Sequence, residues 1–165
     1  MNATNTKRPK ALLLDDDTSV LRSIGTALES RGYDVRAATD GVDGVQALLD
    51  ELLDLDVVVA DLDLPGRDAW SLLHLVRGAG GERDLGMVVL ARVEPSVRGQ
   101  LLALGADVVV DPAQGPSAVL EAVRAVAARR KRGAPAWLGA ALPAIRGALL
   151  VARGATASRL DPVPA

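Results

Sequence analysis

At 165 residues the chain is long enough for one domain with a sizeable core plus a tail. Apolar residues make up 49% and charged ones 24%, the balance of an ordinary soluble globular protein, and a formal net charge of −2 argues against generic polyanion binding. With no Cys, one His, no Phe, one Tyr and two Trp, the composition excludes disulfides, thiolate centres, histidine-built zinc sites and stacking platforms for nucleic acid. The core must therefore be aliphatic. The opening "MNATNTKRPK" is polar with no apolar stretch behind it, so it is not a secretory signal, and a reducing, cytoplasmic setting is expected.

In chain order, "ALLL" (11–14) is a short apolar run that ends in three aspartates. "SVLRSIGTALESRG" (19–32) then sets Val20, Leu21, Ile24, Ala27 and Leu28 at helical spacing and closes on Gly32. "YDVRAA" (33–38) reads as a second strand, "GVDGVQALLDEL" (41–52) as a second amphipathic helix and "DVVVAD" (56–61) as a third strand. After Pro65-Gly66 comes a helix over 68–78 with Trp70, Leu72, Leu73, Leu75 and Val76 on one face. "GMVVLA" (86–91) is the fourth strand, and "EPSVRGQLLALG" (94–105) is a helix with Pro95 in its first turn and Gly105 at its end. "ADVVV" (106–110) and "SAVLEAVRAVAARRKR" (117–132) are the fifth strand and helix.

Strands that are continuous aliphatic runs, alternating with helices, imply a parallel sheet covered on both faces. The expected class is doubly wound α/β, with five strands in the order 2-1-3-4-5 and five helices. Residues 1–9 read as a flexible N-terminus, 10–132 as the domain, and 133–165, rich in Ala, Gly and Pro, as a tail. The apolar stretch Trp137 to Val151 is too short and too interrupted to span a bilayer. A short helix from Pro143 to Arg153 that docks on a surface and a loosely ordered extension are both open readings.

In such a sheet the functional crevice lies at the carboxyl ends of the strands, where the strand order reverses. Asp15, Asp16 and Asp17 leave the first strand there and Asp61 leaves the third, so residues about 45 positions apart are expected to converge. Like charges this close favour protonation unless a cation joins them. Mg²⁺, a hard ion that takes oxygen ligands and bridges to phosphate, suits the cluster. An aspartate beside it at a strand mouth is a candidate nucleophile towards phosphorus, and Asp61 is that candidate.

These residues resemble the receiver domains of two-component response regulators. "LLLDDDTSVLR" is similar to the acidic pair after the family's first strand, "VVVADLDLPGRDAW" to its phosphoacceptor segment, and "LLALGADVVVDP" to its Gly-Ala-Asp motif before the fifth strand. The likeness covers roughly residues 10 to 130, with elements in register. It implies a flavodoxin-like receiver fold and a phosphorelay role in which Asp61 accepts phosphate from a histidine kinase or phosphotransfer protein. It also implies that Asp16, Asp61 and the backbone carbonyl of Asp63 hold Mg²⁺ while Asp15 orients a metal-bound water. Such a protein is not an enzyme beyond self-catalysed phosphoryl acceptance and loss.

Two positions depart from the family pattern. The Thr or Ser that ends the fourth strand is Ala91, and the Lys of the family's Lys-Pro is Asp111 in a segment one residue shorter. The strand-five aromatic aligns with Val108 or its neighbour. A charge-assisted bond in a partly desolvated site contributes about 1.5–3 kcal/mol, so the lost lysine is the largest of these effects. Arg67 and Arg92 are candidate replacements. Asp111 either repels a phosphoryl group or points to solvent beyond the shortened strand. Two functions stay open: a phosphoacceptor switch, and a phosphorylation-independent pseudo-receiver that acts as an interaction module. A third, an aspartate-nucleophile phosphatase of the haloacid-dehalogenase type, rests on "DLDL" (61–64) alone, a short and common match.

His74, on a leucine-rich helix, reads as a packed or half-exposed residue and not a phosphotransfer group; Trp70 and Trp137 read as packing residues. "ARRKR" (128–132) closes the fifth helix, where cations complement the helix dipole, and no nucleic acid is expected. The tail is too short for a winged helix or a cyclase. A signal is therefore expected to leave by protein contact through helix four, strand five and helix five, with homodimerisation through the same face.

Overall fold

The computed structural model describes residues 7–51, 54–65, 69–78 and 85–127. Five strands, β1 (Lys10–Leu14), β2 (Asp34–Ala38), β3 (Val57–Asp61), β4 (Gly86–Leu90) and β5 (Val108–Val110), form one parallel sheet in the order β2-β1-β3-β4-β5. Between and after them run α1 (Thr18–Glu29), α2 (Gly41–Glu51), α3 (Ala69–Gly78), α4 (Pro95–Ala103) and α5 (Pro116–Ala127). This is the doubly wound α/β arrangement expected from the sequence.

The central strands are aliphatic throughout because both of their faces are covered. Ala11, Leu13, Val57, Val59, Val88 and Leu90 face a core shared with Leu21, Ile24 and Leu28 of α1 and Val119, Val123 and Val126 of α5. Their neighbours in the period-two alternation, Leu12, Leu14, Val58, Ala60, Met87 and Val89, are equally buried on the other face. There Gly44 lets α2 approach β1 so closely that a Cβ would stand 2.7 Å from Leu14 Cδ2. The edge strand β2 carries exposed Asp34 and Arg36, charges that discourage pairing with a further strand.

Several boundaries differ from the sequence expectation for local reasons. Helix α1 ends at Glu29 and not at Gly32, since Arg31 and Gly32 donate to Leu28 O and Glu29 O, tightening the last turn. Tyr33, expected in β2, precedes it and donates its N–H to Leu28 O at 3.2 Å. Ala106 still bonds to Leu101 O of α4, so β5 begins only at Val108. A 3-10 turn, η1 (Pro112–Gln114), was not expected. The expected tail, for which a Pro143–Arg153 helix and a loosely ordered extension are both open, Trp137, the 128–132 basic run and Arg67 lie outside the described residues.

At the amino ends of the strands the acids are paired. Asp56 accepts the N–H of Lys10 at 2.8 Å, and Glu51 joins Lys10 (3.2 Å) to Arg36 (2.6 Å). The Arg36 bond is the main reason the Glu51 carboxyl is held below the usual carboxylate range. The largely buried Arg77 guanidinium donates from Nε to Gly105 O, from Nη1 to Leu85 O and from Nη2 to Asp107 Oδ2, each at 3.0 Å. Asp107 Oδ2 also accepts Met87 N at 2.9 Å. Gly105, at φ +113°, leaves the space that the Arg77 stem occupies: a Cβ there would lie 2.7 Å from Arg77 Cγ.

Candidate functional site

The register of the sheet brings the acids together. Leu14 is paired with Ala60 in parallel strands, so the next residues, Asp15 and Asp61, leave the sheet side by side; Asp61 in turn is paired with Leu90. Asp15 is 7% exposed, the one buried charged residue among those described. Its Oδ1 accepts the N–H of Asp17 at 2.8 Å, a turn that aims the chain from β1 into α1. Asp61, half-buried, accepts the N–H of Asp63 through Oδ2 at 3.3 Å. Asp16 and Asp63 are exposed.

Burial governs the electrostatics. It pushes the Asp15 carboxyl up to about 6 against the opposing hydrogen bond from Asp17, and the negative charges of Asp61 and Asp16 add to the rise. Asp61 is also raised, again first by burial, with backbone N–H groups of Asp63 and Leu62 opposing and the charges of Asp63 and Asp16 reinforcing. The described ion pairs engage Lys7, Lys10, Arg36, Arg77 and Arg92, and none of them reaches Asp15, Asp16 or Asp61. Among the described residues no three His, Cys, Asp or Glu side chains form a cage for one ion. Mg²⁺ keeps several waters and needs only one or two carboxylates from the protein. The donor set suits it: oxygens only, with a buried carboxylate that no cation among the described residues pairs.

The third aspartate of the run has another task. Asp17 caps α1, its Oδ1 accepting both Ser19 N (2.7 Å) and Ser19 Oγ (2.6 Å), which holds its carboxyl below the usual range. Asp40 likewise caps α2 by accepting Val42 N and Asp43 N, each at 2.8 Å, and Gly41 N donates to Pro65 O at 2.8 Å, tying α2 to the loop after β3. That tie has no trace in the sequence pattern.

Ala91 is buried just past β4, its N–H donating to Val110 O at 2.9 Å, and it offers no hydroxyl to the site. Asp111 caps η1: its Oδ1 accepts Ala113 N at 2.9 Å, and its Oδ2 faces Arg92 Nε at 3.3 Å. The Asp111-Pro112 pair is the cap-then-proline signature of a helical start, a signal visible in the sequence. Arg92 is thus engaged with Asp111. Val108 is half-buried, and His74 is exposed on α3.

The sheet order agrees with what comparison with known proteins shows. The family model for the response regulator receiver domain matches residues 11–124. The transcriptional regulatory protein DltR of Streptococcus agalactiae is 36% identical over 98 residues, which make up 59% of this chain and 42% of that protein. The chain thus spans about two-fifths of the length of that curated relative. A putative response regulator from Chloroflexus aurantiacus superposes with a TM-score of 0.67 at 27% identity, over 74% of this chain and 100% of that one. The CheX-CheY-BeF3-Mg complex from Borrelia burgdorferi shares the fold, with a TM-score of 0.64 at 20% identity over 72% of this chain and 88% of that one.

Proposed function

The chain belongs to the response regulator receiver domain family, and on that premise we propose that Asp61 accepts a phosphoryl group from a histidine kinase or phosphotransfer protein. The observation that carries this reading is the Leu14–Ala60 register, which sets buried Asp15 beside Asp61 with no described cation bonded to either. Receiver domains generally bind Mg²⁺ at the phosphorylation site. Here Asp16, Asp61 and the carbonyl of Asp63 would hold it and Asp15 would orient one of its waters. When bound, the metal neutralises charge that develops on the phosphoryl oxygens. A carboxylate oxygen of Asp61 attacks phosphorus, and the bond to the donor's nitrogen or oxygen breaks with its electron pair leaving on the donor. The backbone N–H of Asp63 holds Oδ2 and so orients the carboxylate for attack.

The signal leaves by protein contact in a cytoplasmic setting. The face of α4, β5 and α5 is the proposed surface, for a downstream protein or a second copy of the chain: α4 buries only Leu101 and leaves Leu102 41% exposed. Among the described residues no helix is long and apolar enough to cross a membrane. The pseudo-receiver reading draws on Ala91, which has no hydroxyl, and on Asp111, which the resemblance aligns with the family's lysine. The phosphatase reading draws no support, since the side chain of Asp63 is exposed and its backbone N–H is spent on Asp61.

Intact mass after incubation with acetyl phosphate and Mg²⁺ separates these readings. We expect one phosphoryl group to be added, slowly, to the wild type and none to Asp61→Asn. A wild-type chain that stays unmodified, with partner binding indifferent to Asp61→Asn, establishes the pseudo-receiver instead.

A further inference from the structure

We propose that Arg92 is the cation that meets the phosphoryl group on Asp61, and that Asp111 holds it in reserve through an ion pair that opens when the phosphoryl group arrives. This rests on the phosphoacceptor reading and adds to it the partner of the phosphoryl oxygens and the device that controls that partner.

The position follows from the ladder. Asp61 is paired with Leu90, and Ala91 is still bonded to Val110, so Arg92 leaves β4 two residues past the partner of Asp61. With a rise of about 3.3 Å per residue and about 4.8 Å between strands, the mouth of β3 lies within the span of an extended arginine side chain. Among the described residues, Lys7, Lys10, Arg36 and Arg77 hold their ion pairs at the amino ends of the strands, and Arg92 holds its pair at the carboxyl ends.

The present pair is built to open. It uses Nε alone at 3.3 Å, and the Arg92 side chain is 75% exposed, so water and salt compete with it on equal terms. Asp111 does not need it, since its other oxygen already accepts Ala113 N and caps η1. A phosphoryl group placed beside Asp15 and Asp16 is a stronger claim on the guanidinium, whose fork of N–H donors matches phosphate oxygens in a two-point contact. Asp111 thus replaces the family's fixed cation with a competitor for a movable one, and its release on phosphorylation reports at the η1 turn that follows β5.

A four-corner comparison tests this on the full chain with Mg²⁺ and acetyl phosphate, the rate of phosphoryl incorporation being read by intact mass. Arg92→Ala should slow labelling about tenfold, the loss of one charge-assisted contact in the transition state. Asp111→Asn keeps the acceptor for Ala113 N but drops the charge; it should speed labelling about threefold by freeing Arg92. In the Arg92→Ala background Asp111→Asn should change nothing. If the wild type labels and Arg92→Ala labels as fast, or if the Asp111→Asn gain persists without Arg92 as simple relief of repulsion, this inference is overturned while the phosphoacceptor reading stands. A wild type that takes no label overturns both.

Discussion

At the amino ends of the strands Asp56 and Asp107 accept the N–H groups of Lys10 and Met87, and Asp107 and Glu51 hold arginines as well. At the carboxyl ends Asp15 is buried and Asp61 half-buried, yet among the described residues each accepts backbone N–H groups of its own loop and faces the charge of neighbouring aspartates. The same residue type thus supports the fold at one end and strains it at the other. A satisfied carboxylate belongs to the architecture; a buried one without a counter-charge marks a site that awaits a cation.

The sharpest way to break the amino-end half of this contrast is Arg77→Ala. It strands Asp107 in a largely buried position and removes donors from Gly105 O and Leu85 O, so unfolding in urea should show a loss of about 3 kcal/mol.

The next test applies one kind of substitution at both ends. Asp107→Asn should destabilise by about 1.5 kcal/mol, through the lost charge on Arg77. Asp15→Asn, which keeps an acceptor for Asp17 N, should instead stabilise by about 2 kcal/mol at pH 8. The sign follows from linkage: the folded chain holds the Asp15 proton up to about 6 against 3.8 for an ordinary aspartate, so the native state binds more protons in that interval and loses stability as pH rises through it. The advantage of Asp15→Asn should therefore be full above this window and gone below its lower edge. A uniform effect at all pH values, or destabilisation at pH 8, would sink the contrast.

A smaller effect is expected from the ion itself. At a free Mg²⁺ concentration ten times its Kd, binding to the native state adds about 1.4 kcal/mol, seen as a rise in Tm that Asp16→Asn weakens. The rise should be larger at pH 8 than at pH 5, where protons compete for the same oxygens. The smallest effect belongs to Arg92→Ala: removing so exposed an ion pair should leave stability within about 0.5 kcal/mol of wild type.

The elements and the doubly wound class were legible because continuous aliphatic strands alternate with helical spacing, and in the 2-1-3-4-5 order, one of the common doubly wound orders, β1 lies beside β3 and the aspartates at 15 and 61 must be neighbours. Less was legible where identical residues differ only in what comes next. Asp15, Asp16 and Asp17 look alike in the sequence, but Asp17 sits where α1 starts and is consumed as its cap. Asp111 invited comparison with a missing lysine, whereas the proline after it makes it a cap for η1. The staple of Arg77 to Asp107 joins residues 30 positions apart on different elements, and neither periodicity nor turn chemistry records such a pairing.

The titration of the Asp15 carboxyl, followed by carbon-detected magnetic resonance with and without Mg²⁺, tests most directly the claim that the carboxyl-end acids stand uncompensated until a cation joins them. Without the metal its midpoint should lie near 6, and saturating Mg²⁺ should draw it down towards the ordinary aspartate range. A midpoint near 4 in the metal-free protein, unmoved by Mg²⁺, would contradict the account.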